Sequence, residues 1–269
     1  IENIDNNEKL KEVPGLIFYD EDNNLIHTGY LEFIEDLNEL PFPARDLIDN
    51  NKYFSVLGTS KLVTTMITSR GCPYRCLFCD RPQLGKMFRA RSFKNVVDEM
   101  EECVKRYGIK EFLIYDDTFT IDRQRVIDIC NEILKRKLKI VWDIRARVNT
   151  VDKDLLLILK KAGCERIHYG VESGTQKILN VLRKGITLEQ VKKAFELTKK
   201  IGIQTLGYFM IGNPTETKED VLETIKFFKK LNPDYVHITI TMPFPATGLY
   251  LLALKEKIIS KDVWLEFAN

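Results

Sequence analysis

The chain has 269 residues, 44% of them apolar, enough to bury a substantial core in one large or two small domains. Its 41 basic and 39 acidic residues leave a formal charge of only +2, a balance that argues neither for a nucleic-acid binder nor for an acidic tail. No apolar run approaches the ~18 residues needed to span a bilayer, and six cysteines without a visible signal peptide suit a cytoplasmic, reduced protein better than a disulfide framework.

Gly15 to Tyr19 and Leu25 to Thr28 flank Asp22-Asn23-Asn24, the pattern of a β-hairpin with polar turn residues. Leu40-Pro41-Phe42-Pro43 reads as an extended linker, because each proline biases its predecessor away from helix. From Leu62 onward strands and helices alternate. Leu62 to Thr68 is rich in β-formers, and Phe93 to Tyr107 is a helix with Ser92 as N-cap and Gly108 closing it. Phe112 to Tyr115 precedes a helix over Arg123 to Lys135 capped by Asp122. Ile140 to Ile144 precedes one over Lys153 to Ala162 capped by Asp152. Arg166 to Val171 leads to helices at Gln176 to Leu182 and Leu188 to Lys200, the second opened by a Thr187/Gln190 capping box. Ile203 to Ile211 leads to a helix opened by Thr217 with Asp220; Tyr235 to Thr241 is the last strand, and Leu249 to Glu256 a weaker helix.

Strands separated by helices imply βαβ units, a parallel sheet and right-handed crossovers. About 180 residues at about 30 per unit give about six units rather than the eight of a closed barrel. The expected architecture is an open, TIM-like (β/α)6 partial barrel over residues 62–247. Residues 1–61 form a hairpin and linker before it, and residues 248–269 a helical segment after it. The chain opens on Ile1 rather than Met, as a piece of a longer protein would.

The run from Ser69 to Asp80 places Cys72, Cys76 and Cys79 at C-x3-C-x2-C spacing. A four-iron cluster usually takes four thiolates, so three with no local fourth leave one iron open to a non-protein ligand. An open position is also what separates catalytic from structural zinc. A structural zinc site completed by His27, His168 or His237 is the rival, but the second cysteine pair usual in such sites is missing. Cys103, Cys130 and Cys164 sit among apolar positions and read as core residues.

In parallel barrels, catalysis occupies the carboxyl ends of the strands, and unusual polar residues recur there. They are Asp116 and Asp117 after the second strand; Asp143, Arg145 and Arg147, alternating along the third; Glu172 and Ser173 after the fourth; and Asn213 after the fifth. Asp117 or Ser173 taken singly reads as a helix cap.

With Phe78 just before the third cysteine, the motif resembles the signature of the radical S-adenosylmethionine (SAM) superfamily. The resemblance runs from Thr65 to roughly Tyr250. It implies that Cys72, Cys76 and Cys79 ligate a 4Fe-4S cluster whose open iron SAM chelates, and that Phe78 gives a backbone contact to adenine. Asp116 and Asp117 stand where the family binds the methionine amino group, although Gly-Gly-Glu is the commoner form there, so either aspartate could serve. The resemblance further makes Arg147 the partner of the methionine carboxylate. Glu172 becomes the ribose-binding carboxylate, with Ser173 beside it. Gly207 and Met210 belong to the fifth-strand motif that packs on adenine, and Met242 closes that pocket. Thr215 stands where relatives commonly have glycine.

Within the superfamily the wording matches the cobalamin-binding group. Its members carry phrases like Leu40-Pro41-Phe42-Pro43-Ala44-Arg45-Asp46, Gly71-Cys72-Pro73-Tyr74 and Gly170 to Gly174. A cobalamin domain needs on the order of 100 residues, more than precede the barrel, so cobalamin would be bound by residues outside this chain. The expected activity is reductive SAM cleavage to a 5′-deoxyadenosyl radical, in the service of cobalamin-dependent C-methylation. A radical SAM cyclase or isomerase, a methylthiotransferase and a zinc-stabilised β/α binding module are the alternatives. Expected partners are a small-molecule substrate and an electron donor such as flavodoxin or ferredoxin, with no nucleic acid. Arg70, Arg75, Arg81, Lys86, Arg89 and Arg91 crowd the cysteine loop, either as a solvated charged loop or as a patch that steers such a donor or holds an anionic substrate.

Overall fold

The computed structural model describes residues 6–30, 32–79, 87–261 and 263–268. Two compact units divide the chain, Ile1–Glu35 and Asp36–Asn269. In the first, a one-turn helix α1 (Asn7–Lys11) precedes the expected hairpin, in which β1 (Ile17–Tyr19) pairs antiparallel with β2 (Leu25–His27). Asp20 shapes the turn by accepting from the backbone N–H groups of Asp22 and Asn24.

In the second unit the Leu40-Pro41-Phe42-Pro43 linker ends at Arg45, which is buried and holds the segment to the barrel. Its Nε donates to Thr64 Oγ1 at 3.0 Å, and its guanidinium pairs with Glu99 at 2.6 Å. Arg91 takes the other Glu99 oxygen at 2.5 Å, so one buried carboxylate is held by two guanidinium groups. The barrel proper then runs β3 (Val63–Met66), β4 (Ser69–Arg70), β5 (Arg89–Ala90), α2 (Phe93–Tyr107), β6 (Glu111–Ile114), α3 (Arg123–Lys135) and β7 (Val141–Ala146). It continues with α4 (Lys153–Lys161), β8 (Cys164–Glu172), α5 (Gln176–Val181), α6 (Leu188–Ile201), β9 (Gln204–Ile211), α7 (Lys218–Leu231) and β10 (Tyr235–Ile240). Helices α8 (Gly248–Lys255) and α9 (Val263–Ala268) close the chain.

Six strands form one parallel sheet in the order β10-β9-β8-β7-β6-β3, each beside its neighbour in sequence, which is the expected open (β/α)6 partial barrel. The caps fall where the residues place them. Ser92, Asp122 and Asp152 each accept from a first-turn N–H, and Thr187/Gln190 and Thr217/Asp220 form reciprocal capping boxes. Two details differ from the sequence reading. The first strand stops at Met66, because Thr68 and Ser69 turn aside to bond Asp116, and Ser69–Arg70 pairs instead with Arg89–Ala90 in a short antiparallel ribbon.

Alternation along the strands separates two faces. Phe112, Ile114, Trp142, Ile144, Ile167 and Tyr169 are buried in one continuous core with Val96, Met100, Ile129, Leu155 and Phe195 of the helices. Each such side chain contributes about 1.5–3 kcal/mol on burial. Intervening residues, Asp143, Arg145, Arg166, His168 and Tyr208 among them, line the other, polar face.

Candidate active site

The loop carrying the three cysteines is held from both sides. Leu77 N–H donates to the Leu182 carbonyl at the end of α5 (2.9 Å), and the Leu77 carbonyl accepts from Leu249 N–H at the start of α8 (2.8 Å). Cys72, Cys76 and Cys79 thereby line one cavity of about 200 Å³, with Tyr74, Phe78, Asp117, Thr118, Arg147, Gly170, Glu172 and Lys184 around them. Burial first, then the charges of Cys76 and Cys72, pushes the Cys79 thiol up to about 11. Burial, aided by Asp117, also raises Cys72. Thiols held protonated must lose those protons to bind metal, so iron loading releases acid. Among the described residues no three histidine, cysteine or carboxylate side chains close on a single ion. Three thiols spaced around a cavity, with Cys103, Cys130 and Cys164 buried elsewhere, suit a multi-iron cluster that takes one cysteine per iron and leaves one iron for another ligand.

The two aspartates part company. Asp116 is fully buried, and both of its oxygens are consumed by Thr68 N, Thr68 Oγ1, Ser69 N and Ser69 Oγ at 2.6–3.0 Å. It fastens the start of the cysteine loop to the second strand. Asp117 faces the cavity, its carboxyl raised by burial and by the neighbouring Asp116 charge.

Glu172 ends β8 at a register shift, with φ at +74°, a backbone region non-glycine residues rarely occupy and one that stores about 1–3 kcal/mol. That twist turns its carboxylate into the cavity, where Oε1 meets Lys184 Nζ at 2.7 Å, both side chains being buried. Gly170 makes room: a Cβ there would lie 2.6 Å from Glu172 Oε1 and 2.7 Å from Lys184 Nζ. Lys184 escapes the sequence reading because a single lysine in the turn after α5 carries no periodic or spacing signal. Arg147 sits at the cavity wall, with three of its five N–H donors turned to Asn149, Cys76 and the Lys184 carbonyl.

Besides Asp116, four expected site residues lie outside this lining. Ser173 is buried with its Oγ 3.2 Å from Thr224 Oγ1 on α7. Gly207 faces Phe195 of α6, leaving Tyr208 on the cavity side. Met210 is buried, and Met242, beyond β10, is 39% exposed. The basic crowd also thins. Arg91 is buried against Glu99, Arg89 is buried, and Arg81 and Lys86 fall outside the described residues, leaving exposed Arg75 and half-buried Arg70.

A second cavity of about 370 Å³ extends along the lumen and shares Arg145, His168 and Tyr208 with the first. His168 bridges Asp143 Oδ2 (3.2 Å) and the Tyr208 hydroxyl (3.0 Å). Buried Asp143 Oδ1 has no hydrogen-bond partner. Arg145 lies over the Tyr115 ring at 3.6 Å and pairs with no carboxylate among the described residues. Closed barrels of this type pack their lumen with apolar layers; this one is polar and hollow.

A parallel partial barrel with three thiols and an acid–lysine pair at its carboxyl end defines a metal- and cofactor-dependent α/β enzyme. The model of the radical SAM superfamily matches residues 66–228, and the chain belongs to that superfamily. Membership brings a 4Fe-4S cluster and SAM as cofactors. An uncharacterized methyltransferase of Pyrococcus horikoshii is 37% identical over 97% of this chain and 56% of its own length. An anaerobic magnesium-protoporphyrin IX monomethyl ester cyclase of Rubrivivax gelatinosus is 33% identical over 88% of this chain and 43% of its own. The chain thus spans about half the length of these relatives. Among solved structures, the radical SAM methyltransferase TsrM of Kitasatospora setae, with cobalamin and a [4Fe-4S] cluster bound, shares the fold at a TM-score of 0.73 and 21% identity, covering 91% of this chain and 49% of that one. No described helix is long and apolar enough to cross a membrane.

Proposed function

We propose that this chain is the SAM-cleaving portion of a cobalamin-dependent C-methyltransferase. The carrying observation is that Cys72, Cys76, Cys79, Asp117, Glu172 and Lys184 converge on one cavity at the carboxyl end of a parallel barrel. The three cysteines hold three irons of the cluster. Bound together there, cluster and SAM supply reductive cleavage to methionine and a 5′-deoxyadenosyl radical that takes hydrogen from substrate. Asp117 accepts from the methionine amino group. Lys184, with ammonium donors beyond the one given to Glu172, takes the methionine carboxylate in place of Arg147, three of whose five N–H donors are turned to Asn149, Cys76 and the Lys184 carbonyl. Glu172 accepts from the ribose hydroxyls while Lys184 steadies it, and the Phe78 backbone meets adenine. The polar lumen receives a small-molecule substrate, with Arg145 offering its guanidinium to a substrate oxygen. A low-potential electron donor docks over the cysteine loop near Arg75.

The methyl-transfer part is supported by the Pyrococcus relative and by the cobalamin-bound structural neighbour. The Rubrivivax relative favours a second reading, a radical cyclase. The protein reconstituted anaerobically with iron and sulfide should be brown and bind SAM. Glu172→Gln should keep its iron and weaken SAM at least about tenfold, since a charge-assisted hydrogen bond contributes about 1.5–3 kcal/mol. Colourless protein with stoichiometric zinc, or unchanged SAM affinity in the variant, rejects the site. On reduction this chain alone should release 5′-deoxyadenosine slowly and methylate nothing, whereas the longer protein with methylcobalamin should methylate. Product formed by this chain without cobalamin would decide for a cyclase or isomerase.

A further inference from the structure

Arg147 is 5% exposed, yet no carboxylate pairs with it among the described residues. Its Nε donates to Asn149 Oδ1 at 3.3 Å, one terminal nitrogen donates to the Lys184 carbonyl, and the other lies 3.6 Å from Cys76 Sγ. Its flat face lies 3.8 Å from the centre of the Tyr74 ring. Two of these four contacts, Tyr74 and Cys76, belong to the cysteine loop. A buried guanidinium ordinarily demands an anion, because taking its charge out of water costs several kcal/mol. Asn149 and a carbonyl carry no charge, and a thiol is a weak acceptor. A thiolate bound to iron is a negatively charged acceptor, so the geometry balances only once the thiol has become a ligand.

We propose that Arg147 is a positioning residue for the cluster: it donates an N–H to the Cys76 sulfur and, by stabilising the more negative reduced state, raises the cluster's reduction potential. The proposal rests on the reading of Cys76 as a ligand. A positive donor near a ligand sulfur favours the added electron, one of the means by which proteins tune such clusters. The charges around the loop are unevenly placed, since the Asp117 carboxyl lines the cavity while the Arg147 guanidinium faces Cys76. The same guanidinium ties the end of β7 to the cysteine loop and to the turn after α5, so the residue that tunes the cluster also sets the loop around it.

The test compares reconstituted wild type, Arg147→Met and Arg147→Lys by redox titration with titanium(III) citrate and mediators, read by the EPR signal of the reduced cluster. At a fixed poise the Met variant should hold about tenfold less reduced cluster relative to oxidised, a shift of 59 mV toward the negative for one electron. Lys, which keeps the charge but not the fork, should fall between. Should the Met variant lose iron, wild type grown with guanidino-¹⁵N arginine decides alone: a nitrogen coupling to the reduced cluster supports the contact, and its absence overturns it. An unchanged potential in an iron-replete Met variant overturns the proposal too. Loss of Cys76 as a ligand, seen as full iron content in Cys76→Ala, would instead sink the ligand assignment beneath it.

Discussion

Adjacent carboxylates with the same chemistry carry out opposite tasks here. Asp116 accepts four hydrogen bonds out of solvent, and Asp117 is left to the cavity. Asp116→Asn replaces one acceptor oxygen by a donor facing Thr68 and Ser69, so the unfolding free energy from denaturant titration should drop by about 3 kcal/mol, with cluster occupancy falling as the loop loses its anchor. Asp117→Asn should leave stability nearly intact and weaken SAM binding in calorimetry. Equal behaviour of the two variants would refute the division. Thr215 is an exposed β-branched residue at φ +62°, a backbone region that favours glycine. Thr215→Gly removes strain of about 1–2 kcal/mol and adds about 0.5–1 kcal/mol of unfolded-state entropy, so the variant should be more stable by about 0.5–1 kcal/mol in denaturant titration.

At the scale of elements, the approach of α7 to the end of β8 leaves no space for a side chain at position 174. A Cβ on Gly174 would lie 2.6 Å from Thr224 Cα and 2.6 Å from Phe227 Cβ, while Gly174 N–H donates to Thr224 Oγ1 at 2.9 Å. Backbone cannot step aside as a side-chain tip can, so Gly174→Ala should destabilise by about 3 kcal/mol and shift the thermal midpoint down. A midpoint within a degree of wild type would show that α7 moves freely. The contact also explains Ser173, whose hydroxyl is spent on Thr224 rather than on a cofactor.

For the molecule as a whole, the buried thiols couple stability to alkali. Burial pushes Cys103 up to about 11 and Cys130 up to about 12, and raises Cys164 as well. Each folded value lies above the unfolded one, near 9, so this stabilisation is complete below about pH 9 and is lost as pH rises toward the folded values. Denaturant midpoints of the metal-free protein should therefore hold steady from pH 7 to 8.5 and decline from 9 to 11. A flat profile through pH 11 would mean that these cysteines do not sense folding.

The order of elements, the caps and the three-cysteine motif were written in local sequence, because caps act over three residues, periodicity over one helix or strand, and the cysteine spacing over eight positions. Ser92, Asp122 and Thr187 announce their helices with no help from the rest of the chain. What tertiary structure alone decided was which polar residue faces which cavity. Asp116 and Asp117 are alike in sequence and separate only when Thr68 and Ser69 fold back on one of them. Lys184 becomes part of the site only because the turn after α5 comes beside Glu172, and Arg147 is diverted to Cys76 only because the cysteine loop packs beneath it. Local residues set backbone conformation, but the direction of a buried charge is settled by whichever partners, distant in sequence, the fold brings within about 3 Å to replace its lost water.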